Sequence, residues 1–84
     1  MERYIATFHT HLAALRTCRT LTEAGVSARM APVPRKLSSS CGTCVLYEGE
    51  DPFLESMDGD TECVYRAAGG DYVLLRRMDG PDGA

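Results

Sequence analysis

Arg3-Tyr4-Ile5-Ala6-Thr7-Phe8, followed by His9-Thr10 and then by the run from His11 to Gly25, sets the architecture of the whole chain. Its first six residues are rich in β-formers and alternate, with Tyr4, Ala6 and Phe8 on one side and Arg3, Ile5 and Thr7 on the other. That period of two predicts a strand. The spacing then changes. Ala14, Leu15, Cys18 and Leu21 recur at helical intervals, Thr10 can cap the first turn, and Gly25 suits the left-handed position just past the last one.

Beyond this opening, Ser27–Val33 reads as a second strand. Pro32 has no backbone donor, so that strand belongs at a sheet edge or ends there. Residues 44–48 (Cys44-Val45-Leu46-Tyr47-Glu48) return to strand character. Asp51-Pro52 opens a short second helix whose apolar side is Phe53, Leu54 and Met57, closed by Gly59-Asp60. Residues 62–67 give a fourth strand, and Gly69-Gly70 turns the chain into Tyr72–Arg76. The expected fold is α+β: a ferredoxin-like split βαβ (β-α-β-β-α-β) with an extra C-terminal strand. Its sheet would be mostly antiparallel, with the helices on one face. Residues 1–78 form one domain in this reading, and 79–84 a disordered tail.

Eighty-four residues suffice for one thin core. Apolar residues make up 44% of the chain, too many for a disordered sequence. No run approaches the ~20 apolar residues of a membrane helix, and no apolar leader precedes the first strand, so a cytoplasmic protein away from the membrane is expected. The net charge of −3 is unevenly divided. Seven acids and no base lie between Glu48 and Glu62, and the basic residues form no dense stripe. Such a surface repels phosphate backbones, which argues against nucleic acid as a partner.

Between the second and third strands lies Pro34-Arg35-Lys36-Leu37-Ser38-Ser39-Ser40-Cys41-Gly42, too polar for a core and without strand alternation. The predicted topology brings this loop to the end of the sheet where the first strand hands over to the first helix. Cys41 would then share that end with His9, Thr10 and His11, with Cys63 nearby. Cys18, about 12 Å down the helix, reads as core. A free thiol has a pKa near 8.5 and is only about 3% thiolate at pH 7. Making half of it nucleophilic requires about 2 kcal/mol of preferential stabilisation of the anion. The loop offers groups able to supply it, namely the hydroxyls of Ser38, Ser39 and Ser40, amides of a tight turn at Gly42, and the cations Arg35 and Lys36.

The segment Val33-Pro34-Arg35-Lys36-Leu37-Ser38-Ser39-Ser40-Cys41-Gly42 resembles the signature of the selenium/sulfur carrier-like family. The likeness extends to Tyr4–Phe8, Ala14-Leu15, Glu23–Val26 and Pro32–Arg35, covering about residues 3–48. The resemblance implies a thiol at Cys41 that holds sulfur or selenium as a persulfide or selenopersulfide for delivery to a partner enzyme. Its partners would be donor and acceptor proteins, it would need no cofactor, and it would be a carrier or accessory protein more than a stand-alone enzyme. Cys44 is a departure, because family members usually carry a small or apolar residue there.

Three other readings stand beside this one. Cys41 and Cys44 form a Cys-Gly-Thr-Cys pair that could work as a thiol–disulfide switch. In an extended chain, however, their Cα atoms would be about 10 Å apart, whereas a disulfide tolerates at most ~7 Å. Cys41, Cys44 and Cys63 with His9 or His11 would make a zinc set if one end of the sheet gathered them. A small non-enzymatic ligand-binding or regulatory module is the third, since such folds host many functions.

Overall fold

The structure is a computed structural model, and it describes residues 1–78. The expected tail, 79–84, lies outside the described residues. Five strands and one helix follow one another as β1 (Glu2–Phe8), α1 (His11–Glu23), β2 (Ser27–Pro32), β3 (Thr43–Gly49), β4 (Thr61–Ala68) and β5 (Asp71–Arg77). The strands form one sheet in the order β2-β3-β1-β4-β5, every neighbouring pair antiparallel. Because β3 lies between β1 and β2 and opposes both, those two strands run in the same direction, joined by the crossover through α1.

Local chemistry explains the ends of α1. The hydroxyl of Thr10 accepts from the Ala13 amide at 3.1 Å, satisfying one of the orphan donors of the first turn. At the other end the amides of Gly25 and Val26 donate to the carbonyls of Thr22 and Leu21, with Gly25 at φ +86°. This is the paired reversal that a left-handed residue makes possible, and glycine adopts it without a Cβ penalty. The helix buries Ala13, Ala14, Thr17 and Leu21, while Leu15 is exposed and Cys18 only packs at the margin of the core. Small Ala13 and Thr17, rather than Leu15, therefore face the sheet.

The helix-side core joins Tyr4, Ala6 and Phe8 of β1 to Val45 and Tyr47 of β3 and to Val64 of β4. Tyr4 and Tyr47 stack with ring centroids 5.2 Å apart. Pro32 is the last residue of β2, an edge strand, where its missing donor costs nothing.

The expected α+β fold with a mostly antiparallel five-stranded sheet is present, but the full ferredoxin-like plan is not: among the described residues there is one α-helix, not two. The second helix expected from Asp51-Pro52 is replaced by one 3₁₀ turn, Leu54–Ser56. Asp51 does not cap a helix. Its carboxylate accepts from the Phe53 amide at 2.8 Å and closes a turn, with Phe53 itself left-handed at φ +52°. The Tyr47 hydroxyl donates to the Pro52 carbonyl at 2.5 Å, holding the segment flat against the core. Phe53, Leu54 and Met57 still pack on that core, so the apolar positions keep their role without helical periodicity.

Candidate functional site

The loop from Val33 to Gly42 leaves the β2 edge and is tied across the sheet. The Val33 amide donates to the Gly42 carbonyl at 3.1 Å, closing its base. The Ser39 hydroxyl donates to the Phe8 carbonyl at 2.9 Å, at the end of β1. Ser40 donates twice to the Glu62 carboxylate on β4, through its amide at 3.3 Å and its hydroxyl at 2.6 Å. The Lys36 ammonium reaches the Gly70 carbonyl in the β4–β5 turn at 2.8 Å. Bonds to a carboxylate are among the stronger neutral–ion contacts, so Glu62 is the main anchor of the serine run. His9 Nδ1 stands 3.2 Å from the same carboxylate.

Cys41 sits at the end of this strap, half-buried, packed against the margin of the helix-side core. Its thiol donates to the Thr43 carbonyl at 3.5 Å. The Thr43 hydroxyl in turn lies 3.3 Å from His11 Nδ1, at the first residue of α1. Thus Cys41 and His11 both meet Thr43, as expected from the topology. Gly42, at φ +75°, has nothing within 4 Å of where a Cβ would point, so it is the backbone conformation that favours glycine there and the flank beside Cys41 stays open.

The other expected members of the site are dispersed. Cys44 pairs with Thr7 across β3 and β1, on the sheet face opposite the helix, and is 0% exposed. Burial pushes its thiol up to about 11, with the nearby Arg29 opposing and Cys41 reinforcing that rise. Its Sγ–H donates to the Pro32 carbonyl at 3.6 Å. All four cysteines are free. Cys41, in the loop before β3, packs at the margin of the helix-side core, whereas Cys44 lies beside Thr7 on the other face, and no disulfide joins them. Cys63 is buried on β4 opposite Thr7. His9 is bound up with Glu62, and among the described residues no group of three His, Cys, Asp or Glu side chains is arranged to hold a metal ion. The zinc set of Cys41, Cys44, Cys63 and His9 is not brought together.

The cationic support expected from the loop also changes. Lys36 is spent on Gly70, far along β4, and Arg35 is exposed with no ion pair or hydrogen bond among the described residues. Of the serines, Ser39 and Ser40 hold the loop in place, while Ser38 is exposed. A cavity of about 450 Å³ opens beside the serines, walled by His9, Glu62, Cys63, Tyr65 and Arg77, and Cys41 is not in its wall. Glu62 is the loop-anchoring position of the candidate site that sequence reasoning missed. In the chain it is one more acid in an acidic run, and only the β1–β4 pairing brings it beneath Ser40.

Comparison with known proteins follows the same stretch. The family described as "Putative Se/S carrier protein-like" matches residues 3–54, which span β1, α1, the loop and β3. "Uncharacterized protein YtiA" of Escherichia coli (strain K12) is 31% identical over 45 residues, covering 54% of this chain and 53% of that protein. The match thus spans about half the length of that relative. No solved structure matches the chain. The family match takes in well over half of the sequence, including the whole of the strap and Cys41, and the chain belongs to the Se/S carrier protein-like family.

Proposed function

We propose that the protein carries sulfur or selenium on Cys41, receiving it from a donor protein and passing it to an acceptor enzyme. The observation that carries this reading is the position of Cys41: a half-buried thiol beside the open flank at Gly42, on a loop pinned at Ser39 and Ser40. Cys44 and Cys63 are buried, and a buried neutral thiol is a poor nucleophile. Family membership supports the same assignment.

The chemistry is redox-neutral. The Cys41 thiolate attacks the terminal sulfur of a donor persulfide; the new S–S bond forms as the old one breaks, and the donor leaves as a thiolate. Cys41 now bears the extra sulfur. An acceptor nucleophile then takes that sulfur, and Cys41 departs as thiolate. A terminal selenium follows the same sequence of bonds. The proton on the Cys41 thiol must leave before attack, and His11, held at Thr43, is the imidazole available on that side. Arg35 and Gly42 line the approach in this proposal, Ser39 and Ser40 keep the loop in shape, and Ser38 stays exposed beside them.

The test is intact-mass analysis after incubation with a cysteine desulfurase and cysteine. The wild type and Cys44→Ser are expected to gain one sulfur each, and Cys41→Ser none. Sulfur that is retained by Cys41→Ser, or that appears on Cys18, overturns the assignment. Oxidation that removes two hydrogens in wild type but not in Cys44→Ser would favour the thiol–disulfide switch instead. A Cys41→Ser protein identical to wild type in every such assay would leave the ligand-binding module as the reading.

A further inference from the structure

The two edges of the sheet are built differently. The β2 edge, Ser27-Ala28-Arg29-Met30-Ala31-Pro32, carries Arg29 in its middle and ends in Pro32, features that discourage a neighbour from pairing. The β5 edge reads Asp71-Tyr72-Val73-Leu74-Leu75-Arg76-Arg77. It contains no proline, and its central residues Val73, Leu74 and Leu75 are 42%, 44% and 39% exposed. They are three of the six large apolar side chains exposed in the described part of the molecule, and they are consecutive. Among the described residues no strand pairs with the outer side of β5. An apolar strand with free amides and carbonyls along one side is a template for a further strand.

The charges say which strand. β5 is acidic at its start, at Asp71, and doubly basic at its end, at Arg76 and Arg77. A second copy laid parallel would stack Asp71 on Asp71 and arginine on arginine. Laid antiparallel about Val73–Leu74, each Asp71 falls opposite the arginine end of the other copy, and the apolar residues meet in the middle. Opposite charges across paired strands stabilise and like charges destabilise, so the strand is self-complementary in one direction only. That is the isologous arrangement of a two-fold dimer. The register slip leaves Leu75 as an extra residue on β5, and the strand keeps its pairing with β4 beyond it to Arg77, so both ends of β5 remain available to the second copy.

We propose that β5 is a homodimerisation edge, pairing antiparallel with β5 of a second copy to make one continuous ten-stranded sheet. This goes beyond the carrier reading and does not depend on it. β5 is separated from β3, which follows Cys41, by β1 and β4, so the two thiols would lie on the outer flanks of the dimer, free for partners.

Sedimentation equilibrium of the full chain over a wide concentration range tests the idea. The mass is expected to rise from 9.2 kDa to twice that value. Leu74→Lys, placing like charges near the two-fold axis, should weaken association about a hundredfold, the scale expected for a central interface position, with the circular dichroism spectrum retained. Asp71→Lys should weaken it as well, and the triple variant Asp71→Lys, Arg76→Glu, Arg77→Glu should restore it. All three charged positions are exposed, so these variants report even if Leu74→Lys unfolds the chain. A wild type that stays monomeric at every concentration, a dimer indifferent to Leu74→Lys, or a triple variant as weak as Asp71→Lys would each overturn the proposal.

Discussion

The two faces of the sheet are buried by different means. On the helix side Tyr4, Ala6, Phe8, Val45, Tyr47 and Val64 meet Ala13, Ala14 and Leu21 of α1, all apolar surface against apolar surface. On the opposite side, among the described residues, no helix packs. There Thr7 is 0% exposed between Cys44 and Cys63, under a sheet crossed by the strap from Val33 to Gly42. Its Oγ1 has no hydrogen-bond partner among the described residues. One face is a hydrophobic core that stabilises the fold. The other is a mixed face, where buried Ile5 neighbours Leu46 and Tyr65, and Thr7, Cys44 and Cys63 make a polar, sulfur-bearing end beside a loop held by hydrogen bonds. The loop which presents Cys41 is thus also part of the cover of the sheet, so its position is set by folding and not by the thiol it carries.

That contrast can be broken most forcefully at Phe8. Truncation there removes a wholly buried aromatic ring from the helix-side core, and Phe8→Ala should cost about 3–5 kcal/mol in urea unfolding. A loss under 1 kcal/mol would mean that the helix side is not the dominant core.

The second effect is on pH dependence. Cys44 has its pKa raised by burial from 9.0 to about 11, and burial raises Tyr47 well above the ordinary tyrosine value, with Tyr4 adding to it. In each case the folded chain keeps a proton that the unfolded chain releases first. Stability is therefore full below about pH 9 and declines as pH climbs towards 11, by roughly 1–2 kcal/mol after allowing for solvent screening. Chemical denaturation at a series of pH values reads this slope, and Cys44→Ala should flatten it. A stability that rises over the same interval would contradict the burial of these groups.

The smallest effect has the opposite sign. Thr7→Val keeps the shape of the side chain and removes a hydroxyl that is buried without a partner, so it should stabilise by about 1 kcal/mol. Destabilisation of that size would show that the hydroxyl has a partner on the strap side and that this face is better satisfied than its hydrogen bonds indicate.

Much of this architecture was legible in the order of residues. The alternation of Tyr4, Ala6 and Phe8, the cap at Thr10, the reversal at Gly25, the edge proline at Pro32 and the turn at Gly69-Gly70 are local signals, and each appears where it was expected. The second helix was not legible. Asp51-Pro52 serves a helix start and a tight turn equally well, and the choice was made by Tyr47 gripping the Pro52 carbonyl from the neighbouring core. Leu15 fitted the helical spacing yet points outward, because only packing against the sheet decides which part of an apolar stripe is covered. In the candidate site, Cys41 and the serines stood out by composition. The separation of Cys44 onto the other face, the loss of Lys36 to Gly70 and the role of Glu62 did not.

Residue order alone was enough to specify most of the elements, their ends and the family, because caps, turns and periodicity act over a few residues and need no distant partner. Which thiol stays accessible, which carboxylate anchors the loop and which strand edge is left open were settled by the folded arrangement. Those outcomes depend on residues such as Ser40 and Glu62, or Thr7 and Cys44, that are far apart in the chain and meet only when strand pairing has set the register.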